Sequence, residues 1–185
     1  MLTDNRGLKN VSRGIRNNNP LNLRKGVKFA YMVENPNDKE FMTFGKSWQG
    51  IRAAVLDITN DIAKGKNTLT KLINEFAPPV ENDTNNYINI VSRNTGINKD
   101  TLLNQKDFNF MINLVKAKIE VENGTKNAKL ITNEDIYEGI KTAFLYRGYK
   151  IPIVEKKVVT DQKTGLISLG LGIGVILLIL KLTIK

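Results

Sequence analysis

The sequence predicts a mostly helical α+β domain with one small β-hairpin, followed by a C-terminal membrane-spanning helix. Three patterns carry this reading. Apolar residues recur at helical spacing over most of residues 1–150. Two short aromatic-rich runs flank an Asn-Pro-Asn-Asp turn, and the last twenty residues of the span 165–184 are almost wholly apolar.

The hairpin is expected first, from "KFAYMV" and "KEFMTF" on either side of Asn35-Pro36-Asn37-Asp38. The period then becomes helical: Trp48, Ile51, Val55, Ile58 and Ile62 recur at three and four residues, with Ser47 to cap the start and Gly65 to end the run. A short helix from Leu69 to Phe76 stops at Pro78-Pro79, where a helix interior cannot continue. Asp83 or Thr84 opens the next, through Tyr87, Ile88 and Val91 to Gly96. The longest helix is expected from about Lys106 to Glu122, with Phe108, Met111, Ile112, Val115 and Ile119 on one face, ending at Asn123-Gly124. Thr132 and Asp135 resemble a capping box for a last helix through Ile136, Ile140 and Phe144 to Gly148.

Residues 151–164 read as a polar linker, and 165–184 as a single transmembrane helix whose one charge, Lys181, lies close enough to the end to snorkel. Gly170 and Gly174 form a GxxxG pair, a weak packing signal. The first ten residues contain no apolar core of the kind a cleavable secretory signal needs, so membrane entry would depend on the tail. The expected location is a virion internal membrane or a host membrane, single-pass with a C-terminal anchor.

Composition narrows the chemistry. The formal charge is +10, which draws the surface to polyanions such as nucleic acid, anionic lipid or acidic wall polymer. The sequence has no histidine and no cysteine. Imidazole or thiolate zinc sites, Cys–His nucleophiles and Ser–His–Asp triads are thereby excluded, which argues against zinc peptidase or amidase chemistry. Carboxylates remain as the main reactive groups, and no metal or cofactor is expected.

The blocks "RGIRNNNPLNLR", "FMTFGKSWQGIRA", "FAPPVENDTNNYINIVSRNTGI" and "IEVENG", in this order, resemble a family of bacteriophage virion proteins and prophage-encoded relatives. The resemblance spans about residues 12–125 and implies a lysozyme-like domain over 1–150 with a peptidoglycan-lytic role, either a lytic transglycosylase or a muramidase. The tail is similar to that of a lytic enzyme carried by a membrane-containing phage. A looser similarity, to bacterial glucosaminidases, matches "NNNPLNLR" to an element that in those enzymes follows a catalytic glutamate. Here the only acid before Asn17 is Asp4. The order is therefore read as circularly permuted, with "IEVENG" supplying the acid and the asparagine loop reaching it through space.

Glu122 is the first-choice catalyst. It falls on the last turn of an apolar helix, near the negative end of the dipole, where a protonated carboxyl is favoured as a general acid requires. Glu81, in "ENDT", is the second choice. Two carboxylates serve most glycosidases, whereas a lytic transglycosylase can use one, because the substrate's own hydroxyl attacks. Asn17, Asn18 and Asn19 could present amides to glycan hydroxyl and acetamido groups, or could instead brace the turn before the hairpin. Asp83 and Tyr87 complete the substrate-binding set, with helix capping as the other duty of Asp83 and core packing as that of Tyr87 and Trp48. Arg16, Arg24 and Arg52 read as solvated charges or contacts to wall carboxylates.

Peptidoglycan, a lipid membrane and other virion proteins are the expected partners. A noncatalytic virion component with a wall-binding domain is the alternative function. A membrane-tethered nucleic-acid binder ranks last, since the basic residues look scattered along the chain rather than interleaved with aromatics.

Overall fold

A computed structural model describes residues 1–34, 36–80 and 83–152. Six helices account for most of it: α1 (Arg13–Arg16), α2 (Ser47–Ala63), α3 (Leu69–Phe76), α4 (Thr84–Thr95), α5 (Phe108–Ala128) and α6 (Asn133–Arg147). Local chemistry fixes their ends. Thr68 accepts from the Lys71 N–H, Asp83 from Asn86 and Asp107 from Phe110, each satisfying a donor that the first turn leaves free. Thr132 and Asp135 form the reciprocal box expected before α6. At α2 the cap lies one residue earlier than expected: the Lys46 N–H donates to Gln49 Oε1 at 2.8 Å, and the Ser47 hydroxyl is turned inward. The backbone of α5 breaks at Gly124 (φ 73, ψ 152), the position at which the sequence places the helix end.

Helix α2 packs along α6, and α4 pairs with α5. The apolar core holds Ile51, Val55 and Ile58 of α2, Leu72 and Ile73 of α3, Met111, Leu114 and Val115 of α5, and Ile140 and Phe144 of α6. The α2–α6 approach needs a glycine: a Cβ at Gly139 would lie 2.6 Å from Ile51 Cγ2 and 2.8 Å from the Trp48 carbonyl oxygen. Asp135, fully buried, accepts from the Thr3 N–H and hydroxyl, which ties the N-terminal segment to the start of α6. Met1–Pro152 forms one compact unit.

The expected α+β class is corrected in two respects. Among the described residues there is no strand and hence no β-hairpin, only the isolated antiparallel bridges Arg24↔Phe41 and Met32↔Phe44. Tyr31 adopts a left-handed backbone (φ 69), which breaks the first aromatic run before a ladder can form. Residues 41–44 keep one backbone bond to the first run, Val33 N to Thr43 O at 2.9 Å, and otherwise pair outside it: Met42 N donates to Leu23 O at 3.0 Å and Phe44 N to Asn17 O at 3.0 Å.

The membrane anchor is the second correction. Among the described residues no helix is long and apolar enough to cross a membrane. The span expected over 165–184 lies outside those residues, so the anchored, single-pass location has no support from the fold.

A carboxylate cleft at the end of α5

The second half of the "NNNPLN" loop, the end of α3, Tyr87 of α4 and the last turn of α5 before the kink enclose an open cleft of about 510 Å³. Its walls include Asn22, Arg24, Phe41, Glu75, Tyr87 and Glu122. Glu122 is half-buried, and both of its oxygens are held: Asn22 Nδ2 donates to Oε2 at 2.8 Å and the Tyr87 hydroxyl to Oε1 at 2.8 Å. The asparagine loop and the "IEVENG" turn thus meet in space although Asn22 and Glu122 are 100 residues apart. The residue making that contact is Asn22, not one of the three consecutive asparagines.

Behind Tyr87 lies a second polar group with no route to solvent. Lys118, one helical turn before Glu122, is 1% exposed and donates from Nζ to the Tyr87 oxygen at 3.1 Å. Its ammonium also sits 4.1 Å from the Phe76 ring centroid and 5.2 Å from that of Tyr87, a cation–π cage in place of a direct ion pair. Burial pushes the lysine down to about 8, with the Glu122 and Asp57 carboxylates pulling the other way. The Tyr87 phenol is pushed up, first by burial and then by Glu122. The result is a directed chain, Lys118 to Tyr87 to Glu122, ending on a carboxylate at the cleft wall.

The other sequence candidates fall elsewhere. Asn18 is fully buried: its Nδ2 donates to Asp4 Oδ1 and the Phe44 carbonyl, and its Oδ1 accepts from the Asn5 N–H and the Ser47 hydroxyl. Asn19 donates to the Leu23 and Met42 carbonyls and accepts from the Leu23 N–H. Asn17 donates to Asp38 Oδ2 at 2.7 Å. All three amides are therefore engaged in bracing the loop. Helix α2 accommodates this loop through Gly50, where a Cβ would fall 2.1 Å from the Asn18 carbonyl oxygen. Asp83 caps α4 and is exposed, and Glu81 lies outside the described residues. Among the described residues no group of acidic side chains is placed to hold a metal ion.

Sequence reasoning missed Asn22, Glu75 and Lys118. A signal existed for Lys118: it continues the apolar stripe of α5 and precedes Glu122 by four residues, the spacing that stacks side chains on one face. Glu75, paired with Lys66 at 2.5 Å, carried no such signal.

The fold and cleft define a small helical domain, free of histidine and cysteine, that exposes one doubly hydrogen-bonded glutamate in a groove. No family model matches the chain. It is 33% identical over 147 residues to Protein P5 of Pseudoalteromonas phage PM2, covering 77% of this chain and 86% of that relative. The chain belongs to the family of this bacteriophage protein.

Proposed function

We propose that the protein cleaves the glycan strands of peptidoglycan, as a virion-associated lytic transglycosylase or muramidase, with Glu122 as the proton donor. The observation that carries the proposal is the hold on Glu122: an amide and a phenol each bond one oxygen, on the wall of an open cleft. In the acid step the proton passes from Glu122 to the glycosidic oxygen as the C–O bond breaks. Asn22 and Tyr87 then hydrogen-bond the carboxylate that forms, and Lys118 behind Tyr87 supplies compensating positive charge in a low-dielectric setting. In a transglycosylase the same carboxylate takes the proton of the attacking sugar hydroxyl, so one glutamate suffices. Glu75, on the same cleft, is the carboxylate available if water attacks instead. The phage origin of the relative supports a setting in which a host wall must be opened.

The test is turbidity loss of purified peptidoglycan with the full chain, wild type beside Glu122→Gln and Glu81→Gln, and mass spectrometry of the products. Wild type is expected to clear the wall, and Glu122→Gln to fold but act at least about a hundredfold more slowly. Anhydro ends identify a transglycosylase and reducing ends a muramidase. If folded wild type leaves every wall intact, that of its own host included, the reading falls and a noncatalytic wall-binding virion component replaces it.

A further inference from the structure

A second groove, of about 300 Å³, lies between α2, α6 and the loop at residues 28–30, and shares no lining residue with the carboxylate cleft. Lys28, Arg52 and Arg147 line it, and no carboxylate does so among the described residues. Aromatic rings are interleaved with these cations. The Arg52 guanidinium lies 5.7 Å from the Tyr31 ring centroid and 5.1 Å from that of Tyr146, while Tyr31 packs on Trp48 at 5.3 Å. Tyr146 is 70% exposed and Tyr31 52%. Tyr31 keeps its ring there from a left-handed backbone that a bulky side chain rarely adopts, an unfavourable geometry held by its two neighbours. The Arg147 Nε is buried without a hydrogen-bond partner among the described residues.

We propose that this groove binds single-stranded nucleic acid, a base stacking on Tyr146 while the flanking phosphates are neutralised by Lys28, Arg52 and Arg147. The chemistry favours this occupant over a wall glycan. A neutral sugar needs acceptors for its hydroxyls, and the one amide of the groove, on Asn60, already accepts from Arg147 through its Oδ1. Cations without carboxylates, set among exposed rings, instead match a polyanion that carries planar groups. The basic residues that look scattered along the sequence are gathered by the α2–α6 packing into the interleaved pattern such binding needs.

The test is anisotropy of a short fluorescein-labelled oligothymidylate against the full chain over a salt series, with fluorescence of Trp48, the single tryptophan, as the local reporter. Tyr146→Ala is expected to weaken binding roughly tenfold with the salt slope unchanged, since a base stack is lost and no charge. Lys28→Glu is expected to lower the slope by about 0.7 or more for the phosphate contact removed. Lys116→Glu, the same charge reversal on the exposed side of α5, is expected to change neither. All three positions are exposed, and circular dichroism checks the fold. The proposal is overturned if the oligonucleotide does not bind at low salt. It is overturned equally if Lys28→Glu and Lys116→Glu weaken binding alike while Tyr146→Ala has no effect, or if only wall fragments or anionic vesicles change the Trp48 signal.

Discussion

Asn18 and Asn22 lie four residues apart, both in left-handed backbone (φ 51 and 52), yet the fold uses them in opposite ways. Asn18 is fully buried, and each of its polar atoms serves the backbone or the N-terminal segment. Asn22 is half-buried and gives its amide to Glu122 at the edge of an open cleft. The first belongs to a closed cluster in which buried polar groups satisfy one another, so each is costly to remove. The second belongs to an open chain ending in Lys118, a buried cation with one hydrogen bond, where the arrangement costs stability and supplies a poised carboxylate.

The largest effect should come from breaking the closed cluster. Asn18→Ala orphans the Asn5 N–H and the Phe44 carbonyl together, and is expected to cost at least about 3 kcal/mol. Urea unfolding should show a lower midpoint at unchanged slope. A loss under about 1 kcal/mol would mean that water replaces the amide and that the cluster is not closed.

Lys118→Met acts on the open chain and is expected to have the opposite sign. Removing a buried charge with one hydrogen bond should raise stability at pH 7 by about 2 kcal/mol while slowing wall lysis. The lysine is held down to about 8 against an ordinary 10.5, so between those values the folded wild type binds fewer protons than the unfolded chain. Wild-type stability therefore rises through that window, and the gap to Lys118→Met should narrow from pH 8 to 10.5. Thermal melts over that range, set beside lysis rates, would decide; a gap constant with pH removes the charged lysine from the argument.

Asn22→Gly tests the cleft end of the same chain. Glycine keeps the left-handed backbone and deletes only the amide, so stability should move by less than about 1 kcal/mol. If Glu122 does the chemistry, the lytic rate should fall roughly tenfold with a smaller change in KM. Equal loss in Asn22→Gly and in a variant far from the cleft would show that the contact holds structure rather than a reacting group.

The legible parts of this molecule were those governed by local rules. Helical spacing and caps located five of the six helices, and Asn123-Gly124 marked the break in α5, because a left-handed glycine ends a helix wherever it occurs. The four-residue α1 has no periodicity to read. The hairpin failed for a tertiary reason: Met42 and Phe44 find backbone partners at Leu23 and Asn17, outside the first run, and Tyr31 turns left-handed to pack on Trp48. Position also decided the asparagines. Nothing local distinguishes an asparagine whose amide will bond the N-terminal segment from one whose amide will face Glu122, since the choice rests on where that segment and α5 pass the loop.

The smallest effect is expected at Asp38, on the rim of the closed cluster, and its value lies in its sign. Arg13 donates from Nε and Nη2 to the two Asp38 oxygens at 2.6 and 2.7 Å, and Asn17 and the N–H groups of Glu40 and Phe41 add to the hold. The guanidinium, more than any other neighbour, holds this carboxyl below its ordinary 3.8. The folded chain thus resists protonation in acid more than the unfolded chain does. Its contribution is fully present above about pH 3.8 and is lost as pH falls below it. An asparagine keeps one oxygen for the two backbone N–H groups and loses the charge, and because Arg13 is partly exposed and also reaches Glu40, Asp38→Asn should lower the melting temperature at pH 7 only modestly. It should, however, flatten the fall of melting temperature with acid. Parallel acid slopes in the two proteins would sever Asp38 from the closed cluster. A flattened slope, beside the alkaline narrowing at Lys118, would give the two polar clusters opposite signatures: one weakens as carboxylates gain protons, and the other is relieved as an ammonium loses one.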